Sequence, residues 1–396
     1  MKLKTQNSKL KIAIVGAGPA GASLAIRLAQ KDFEVILIER EKFPRHKLCG
    51  EFISPECLVH FKDLDVLNEM LAVGGDRISE TIFYSQNGKS ISVPSRWFGG
   101  DRHGALSISR AAMDFCLLEK AKSLGVEVLE ETQVVGLLTE NKKVYGAKAR
   151  VENRETTEIT ADLIIDATGR ANVLGKLIGK TKTQNSKLKT QNSKLVGFKT
   201  HLKNVHLEKG VCEIYSFRGG YGGLSFVEND LANHCFLIEA ETVKNFNGDT
   251  NKILEEIIFR NKRARQTMRD AEPVFDWLAV AVDGFGVKNL NPAENLLSVG
   301  DAAAFIDPFT GSGMLMALES AEILANSIIG NKFSFAEIAR NYRLTHRKKF
   351  RRRLFLCGIL RRVAFAPKLA DRTISVLNLS RRATEILTRA TRPQTF

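Results

Sequence analysis

Gly16, Gly18 and Gly21 follow the apolar run KIAIV in the spacing G-x-G-x-x-G, with Pro19 and Ala20 opening a helically spaced stretch. That spacing suits a dinucleotide. The first glycine permits a tight turn, the second lets a pyrophosphate reach the backbone, and the third lets helix pack close on strand. The helix N-terminus adds N–H donors and positive potential for the phosphates. Glu39, followed by Arg40, stands directly after the next apolar run, EVILI, 23 residues beyond Gly16. A carboxylate there accepts hydrogen bonds from ribose hydroxyls and repels a 2′-phosphate, which points to the unphosphorylated adenosine of FAD or NAD.

Two further segments choose between those two. LIIDATGR, residues 163–170, reads as a buried strand ending in Asp166, with Gly169 just beyond. NLLSVGDAAAFIDPFTGSGMLMALESA, residues 295–321, reads as a strand, a turn with Asp301, then Pro308, and Gly311 and Gly313 at a helix start. An acid at a strand end can hold a polyol hydroxyl. Glycines at a helix start let backbone N–H groups reach a flat, electron-rich ring edge. An extended ligand gripped by three distant segments is FAD.

The elements that must position these residues follow from hydrophobic period. Strands at 11–15 and 34–38 flank a helix at 19–30, and a helix at 109–124 ends at Gly125. Residues 77–98 and 195–240 are β-rich, with Gly and Asn turns, and form a separate sheet. The expected fold is α/β: a Rossmann-like FAD-binding domain at 11–75, 104–175 and 293–345, with an interposed β-rich substrate domain at 76–103 and 176–292. A basic helical C-terminal region, 346–396, follows. GFG at 284–286 lacks a third glycine and a helix, so it is no second dinucleotide unit, and if NAD(P)H is the reductant it docks transiently, without a domain of its own.

Composition narrows the function classes. The apolar share of 44% and charged share of 26% are those of an ordinary globular chain. Six cysteines show no CxxC pair and no clustered histidines, which argues against a zinc site or a disulfide scaffold and for a reducing cytosol. The N-terminus carries no signal-peptide pattern, and no apolar run reaches spanning length. The net charge of +15 is uneven: residues 341–396 hold 15 Lys/Arg against Asp371 and Glu385, which is +13. On helices this tail sets arginines beside Leu, Phe and Ile. Either it is a solvated helix pair capping the FAD domain, or it attaches peripherally to an anionic membrane. No nucleic-acid module accompanies the charge. TQNSKLK at 5–11, repeated at 183–189 and as TQNSKL at 190–195, has no structural period and is inserted surface-loop material.

On GAGPAG, IER, SRAAMDFCLL, DATGR and GDAAAFIDPFTGSGM, the chain resembles the FAD-dependent monooxygenase and geranylgeranyl-reductase superfamily across residues 11–345. The resemblance implies a p-hydroxybenzoate-hydroxylase type of fold, with an FAD domain of the GR2 type. It implies that Gly16, Gly18, Ala20 and Gly21 hold the pyrophosphate, and that Glu39, beside Arg40, holds the ribose. Arg110 reaches the phosphates or ribityl chain, Asp301 the ribityl hydroxyls, and Pro308, Gly311 and Gly313 the isoalloxazine edge, with Gly169 nearby. Lys47, Cys49 and Gly50 resemble the reductase branch and imply that Cys49 lies by the flavin or the substrate channel, as packing or as a redox or substrate-shaping group. Trp97, Phe98, Tyr215, Phe217, Tyr221 and Phe226 are core packing or the lining of an apolar pocket, and His103 is a lone candidate proton relay.

Three functions stand at this point. The first is an NAD(P)H-dependent monooxygenase acting on an apolar, phenolic or lipid-like small molecule, with flavin-centred chemistry. The alternative is a prenyl double-bond reductase, which Lys47-x-Cys49-Gly50 supports and the absence of a Tyr-x-Trp-x-Phe-Pro motif opposes. The third is a non-catalytic flavin-binding or membrane-adaptor protein. The halogenase pattern Trp-x-Trp-x-Ile-Pro and an obvious paired catalytic lysine are both missing, and no metal is expected.

Overall fold

The structure is a computed structural model that describes residues 9–99, 104–151, 155–182, 194–331 and 334–392. His103 and most of the TQNSKLK copies lie outside the described residues.

A five-stranded parallel sheet runs in the order Leu296–Ser298, Leu163–Asp166, Lys11–Val15, Glu34–Ile38, Glu127–Leu129. Its strands are near-continuous apolar runs because both faces are covered. Strand period 2 divides them. Ile12 and Ile14 join a core with the helices Pro19–Ala29, Arg110–Ser123 and Gly313–Gly330. Ala13 and Val15 face Val134, Val144 and Ala147 of a three-stranded antiparallel sheet, Thr132–Glu140, Lys143–Val151 and Thr156–Thr160. The carboxyl ends Val15, Ile38, Asp166 and Ser298 share one edge, where open parallel sheets bind ligands.

The second large sheet has eight strands. Leu195–Lys203, Val211–Phe217, Gly220–Phe226 and Ala232–Glu239 pair with Glu80–Tyr84, Ser90–Pro94, Glu272–Pro273 and Leu278–Val282. One face is packed by Phe198, Tyr215, Phe217 and Phe236 against Ile253, Ile258 and Met268 of the following short helices. Its other face looks toward the edge of the parallel sheet. Phe52–Ile53, Ala105–Ser107 and Asp76–Ile78 form a three-stranded sheet at the join.

Three helices close the chain: Phe335–Ala364, Pro367–Asn378 and Arg381–Ala390. The expected boundary at 345/346 falls inside the first of them. Ser334 caps that helix on the N–H of Glu337, and Ile338, Tyr342, His346 and Phe350 continue one buried stripe through the boundary. Pro367 disfavours helical backbone in the residue before it, so the helix stops and a new one starts with proline in its first turn. The Ser216 hydroxyl donates to Ala364 O at 2.7 Å, and Ser85 and Lys89 bind the Asp371 carboxylate at 2.9 and 3.0 Å. These contacts seat the helices on the eight-stranded sheet. Among the described residues no helix is long and apolar enough to cross a membrane.

Candidate flavin and substrate site

Gly16 has φ +106°, and its N–H donates to Ile38 O at 2.7 Å. A Cβ there would sit 2.4 Å from Ala167 O, and one on Gly21 would sit 1.9 Å from Gly16 O. Both glycines are therefore fixed by backbone packing. Gly18 differs: a Cβ there meets nothing nearer than the Arg110 guanidinium at 3.9 Å. The gap between Gly18 and Arg110 is an open cradle with room for a pyrophosphate. Asp114, fully buried, accepts from Arg110 Nε at 2.8 Å and from Arg45 at 2.8 Å, which holds two cations beside that gap.

Glu39 is buried and accepts from the N–H groups of Ala17 at 2.9 Å and Glu41 at 3.1 Å. It braces the glycine turn and keeps lone pairs for ribose hydroxyls. Asp166 is a correction. Its oxygens accept from Thr168 N at 3.0 Å, Leu174 N at 3.0 Å and Gly175 N at 3.2 Å. The carboxylate is consumed in tying the following turn and the helix Val173–Lys182, and Asp301, not Asp166, lines the cavity. Burial pushes the Asp301 carboxyl up to about 6, although Arg170 and Lys288 pull it down. Asp307 accepts from Phe309 N at 3.0 Å and from the Tyr221 hydroxyl at 2.9 Å, shaping the turn at Pro308; Gly311 there has φ +62°.

One cavity of about 1010 Å³ touches Gly16, Gly18, Ala20, Glu39, Arg40, Arg110, Gly169, Asp301, Pro308, Gly311 and Gly313. The donor set, the open cradle at Gly18 and the uncovered start of the helix Gly313–Gly330 fit FAD laid along the sheet edge. When bound, FAD supplies hydride or single-electron chemistry to whatever occupies the rest of the cavity. Gly21 lies behind the lining, as the packing glycine.

The structure divides the predicted pocket residues. Cys49, Phe98 and Tyr221 line the cavity. Tyr215 and Phe217 are fully buried on the opposite face of their strand, while their neighbours Ile214 and Ser216 face the cavity. Of the two readings, core packing or pocket lining, these two residues take core packing. Trp97 packs against Val93 and Phe98, and Phe226 packs at the edge of the helix-covered core.

Cys49 owes its position to a group that sequence reading passed over. Glu51, fully buried at φ +55°, accepts from Arg110 N at 2.6 Å and from the Lys199 ammonium, and pairs with His201 Nε2 at 2.7 Å. Lys199 also donates to Lys47 O at 3.2 Å, and Asn233 donates to Cys49 O at 3.2 Å. Burial alone would raise the Glu51 carboxyl, but the His201 hydrogen bond and the Lys199 charge hold it below the usual carboxylate range. This network clamps the loop 46–51 between the helix carrying Arg110 and the eight-stranded sheet. The signal was present: Gly197, Lys199 and His201 alternate with Phe198, Thr200 and Leu202. A polar alternate face reads as solvent-exposed, and here the loop buries it.

The C-terminal helices were also missed as lining. Leu360, Val363, Ala370, Thr373, Ile374, Leu377, Leu387 and Thr391 reach the cavity. Arg392, buried, donates to Thr310 O at 2.8 Å and so ties the end of the described chain to the turn at Gly311.

The FAD binding domain family matches residues 9–330. A digeranylgeranylglycerophospholipid reductase of Methanosarcina mazei is 26% identical over 80% of this chain and 74% of its own. A flavin-dependent halogenase of Armillaria mellea is 24% identical over 80% of this chain and 64% of its own. Among solved structures, the flavin-dependent brominase Bmp2 superposes with TM-score 0.77 at 18% identity, covering 97% of this chain and 94% of that one. A geranylgeranyl bacteriochlorophyll reductase-like protein of Thermoplasma acidophilum gives 0.76 at 19%, covering 93% and 91%. With the family spanning the glycine turn, Arg110 and the Asp301–Gly313 segment, the chain belongs to the FAD binding domain family, within the FAD-dependent monooxygenase and geranylgeranyl-reductase superfamily.

Proposed function

We propose that the protein is an FAD-dependent reductase of carbon–carbon double bonds in a long apolar, isoprenoid-type substrate, with NAD(P)H as the external reductant. This reverses the order that the sequence alone suggested. The observation that carries it is the lining beyond the flavin turn: Phe83, Ile91, Val93, Ile214, Leu360, Val363, Ile374, Leu377 and Leu387. Hydroxyls in that part are largely spent internally, since Thr384 and Thr388 donate to Leu377 O at 3.0 Å and Thr384 O at 2.8 Å. A hydrocarbon chain is held by burial alone, whereas a buried phenol without a partner costs about 1–3 kcal/mol. Reduction adds one hydride and one proton across C=C. Bound FAD, once reduced by NAD(P)H, would supply the hydride, and the thiol of Cys49 lines the same cavity. The several reductase relatives and Lys47-x-Cys49-Gly50 support the same reading.

A second reading, hydroxylation by a monooxygenase, is favoured by one group. The Thr81 hydroxyl is buried, lines the cavity and has no hydrogen-bond partner, so it could receive a substrate hydroxyl. The deciding experiment reduces the flavoprotein under argon and adds a geranylgeranyl lipid. Flavin reoxidation with a product heavier by two hydrogens per bond is expected. Reoxidation only on admitting oxygen, with an oxygenated product, would overturn the reductase reading.

A further inference from the structure

The three C-terminal helices have two working faces. Their inner residues, among them Leu360, Val363, Ile374, Leu377 and Leu387, line the apolar arm of the cavity. Their outer residues fall at helical spacing into stripes that mix arginine with exposed apolar side chains. The first helix shows Arg352, Phe355, Ile359 and Arg362; the second Leu369, Arg372, Val376 and, at its end, Leu379; the third Arg382, Ile386 and Arg389. Phe355 is 69% exposed, Val376 64%, Ile386 61% and Leu379 86%, values that an ordinary solvated face has no reason to hold in register. The +13 of residues 341–396 is only partly compensated: Lys349 and Arg353 pair with Glu319, Arg361 with Asp307 and Arg392 with Glu56, while Arg351, Arg352, Arg362, Arg372 and Arg382 stand exposed. Of its two acids, Asp371 is bound to Ser85 and Lys89, and Glu385 pairs with Arg389.

We propose that these outer faces dock the protein on an anionic lipid bilayer, and that the helices act at once as membrane foot and as roof of the substrate cavity. An arginine-rich helix with interspersed large apolar groups and no spanning length lies in the headgroup plane, with its apolar side chains inserted and its guanidiniums on lipid phosphates. Charge complementarity calls for an anionic surface, and the exposed apolar side chains among the arginines select a bilayer over a nucleic acid. The roof position adds a consequence that rests on the reductase reading: an isoprenoid lipid passes between the helices into the cavity without crossing water.

The test uses the full-length, FAD-loaded protein and vesicles free of isoprenoid lipid, so binding is read independently of turnover. Co-sedimentation with phosphatidylglycerol vesicles at 0.1 M salt is expected, with weak binding to phosphatidylcholine and release at high salt. Arg351→Gln, Arg352→Gln and Arg382→Gln together remove three exposed charges, and at about fivefold per charge the affinity should fall on the order of 100-fold. Phe355→Asp with Leu379→Asp should weaken binding to the same vesicles while leaving bound flavin and turnover on a detergent-dispersed substrate unchanged. Absence of binding to anionic vesicles overturns the proposal, as does equal binding by the variants. So does preference for duplex DNA over vesicles at matched salt. Docking on these vesicles, together with no reduction of a geranylgeranyl lipid added in a separate assay, would refute the reductase reading alone.

Discussion

Asp301→Asn should move stability and cofactor affinity in opposite directions. In the ligand-free chain the Asp301 carboxyl sits in the cavity wall and burial lifts it from 3.8 to about 6. Because the folded value is raised, the native state keeps its proton while the unfolded chain has already lost it. Stability therefore falls as pH rises from about 4 to about 6, and the full deficit is present at pH 7. The lift corresponds to at most ~3 kcal/mol, since one pKa unit is about 1.4 kcal/mol. An amide has no charge to desolvate. The apo-variant should thus be more stable than apo-wild type by about 1–3 kcal/mol at pH 7.5, and the advantage should vanish near pH 4. FAD binding goes the other way. Loss of a charge-assisted hydrogen bond, worth about 1.5–3 kcal/mol, weakens it by roughly 10- to 100-fold. Urea titrations of both apo-proteins at pH 4, 5.5 and 7.5, with flavin fluorescence titrations, measure both effects. A stability difference that does not change with pH would refute the desolvation argument. Unchanged FAD affinity would remove Asp301 from the ribityl contact.

Four further single substitutions, one of them also in a double variant, probe other parts of the site. Glu51→Gln strands the buried Lys199 ammonium and should cost about 3–5 kcal/mol in urea titrations, with Glu51→Gln/Lys199→Met recovering most of it. The Glu51 carboxyl is held low in the fold, so its contribution is present above the unfolded value near pH 4.5 and is lost as pH falls through the lower folded value, a trend the Glu51→Gln variant should lack. Gly18→Val should fold normally yet purify without flavin, because its side chain fills the phosphate cradle, whereas Gly21→Ala should lose stability through the 1.9 Å approach to Gly16 O; the reverse pattern would refute the division of roles. Cys49→Ala should retain FAD and lose about 10²-fold in turnover if the thiol hands over the proton, and turnover within about twofold of wild type would reduce Cys49 to packing.

The flavin half of the site was readable because its instructions are local. The glycine turn, Glu39 and the Asp301–Gly313 segment each combine a strand end, a turn and a helix start within a few residues, and strand and helix periods reveal them. Asp166 shows the limit of that reading. A buried acid at a strand end satisfies either a ligand or the next helix, and only the placement of Leu174 N and Gly175 N decides for the helix. The substrate half depends on long-range facts. Tyr215 and Phe217 stood open between core packing and pocket lining, because which strand face meets the cavity is set by how the whole sheet is mounted.

The same reason hid the two features that now define the site chemically. Glu51 and Lys199 are 148 residues apart, and no local period connects them. Each looks like a surface charge until the loop 46–51 closes over the sheet. A buried charge network is a poor choice for stability alone, since a well-packed apolar group is often as stabilising or more so. What these charges provide is a fixed seat for Cys49, with Glu51 joining the loop to the helix of Arg110 and, through Lys199 and His201, to the eight-stranded sheet. The tail presents the converse problem. Its amphipathic period announces two faces and its charge suggests a solvated one, yet the arginine that ends the described chain, Arg392, is buried against the flavin turn. A segment pinned at that point cannot be a detachable basic tail. Its inner face lines the cavity, and its outer arginines stay exposed, which is what the docking proposal requires.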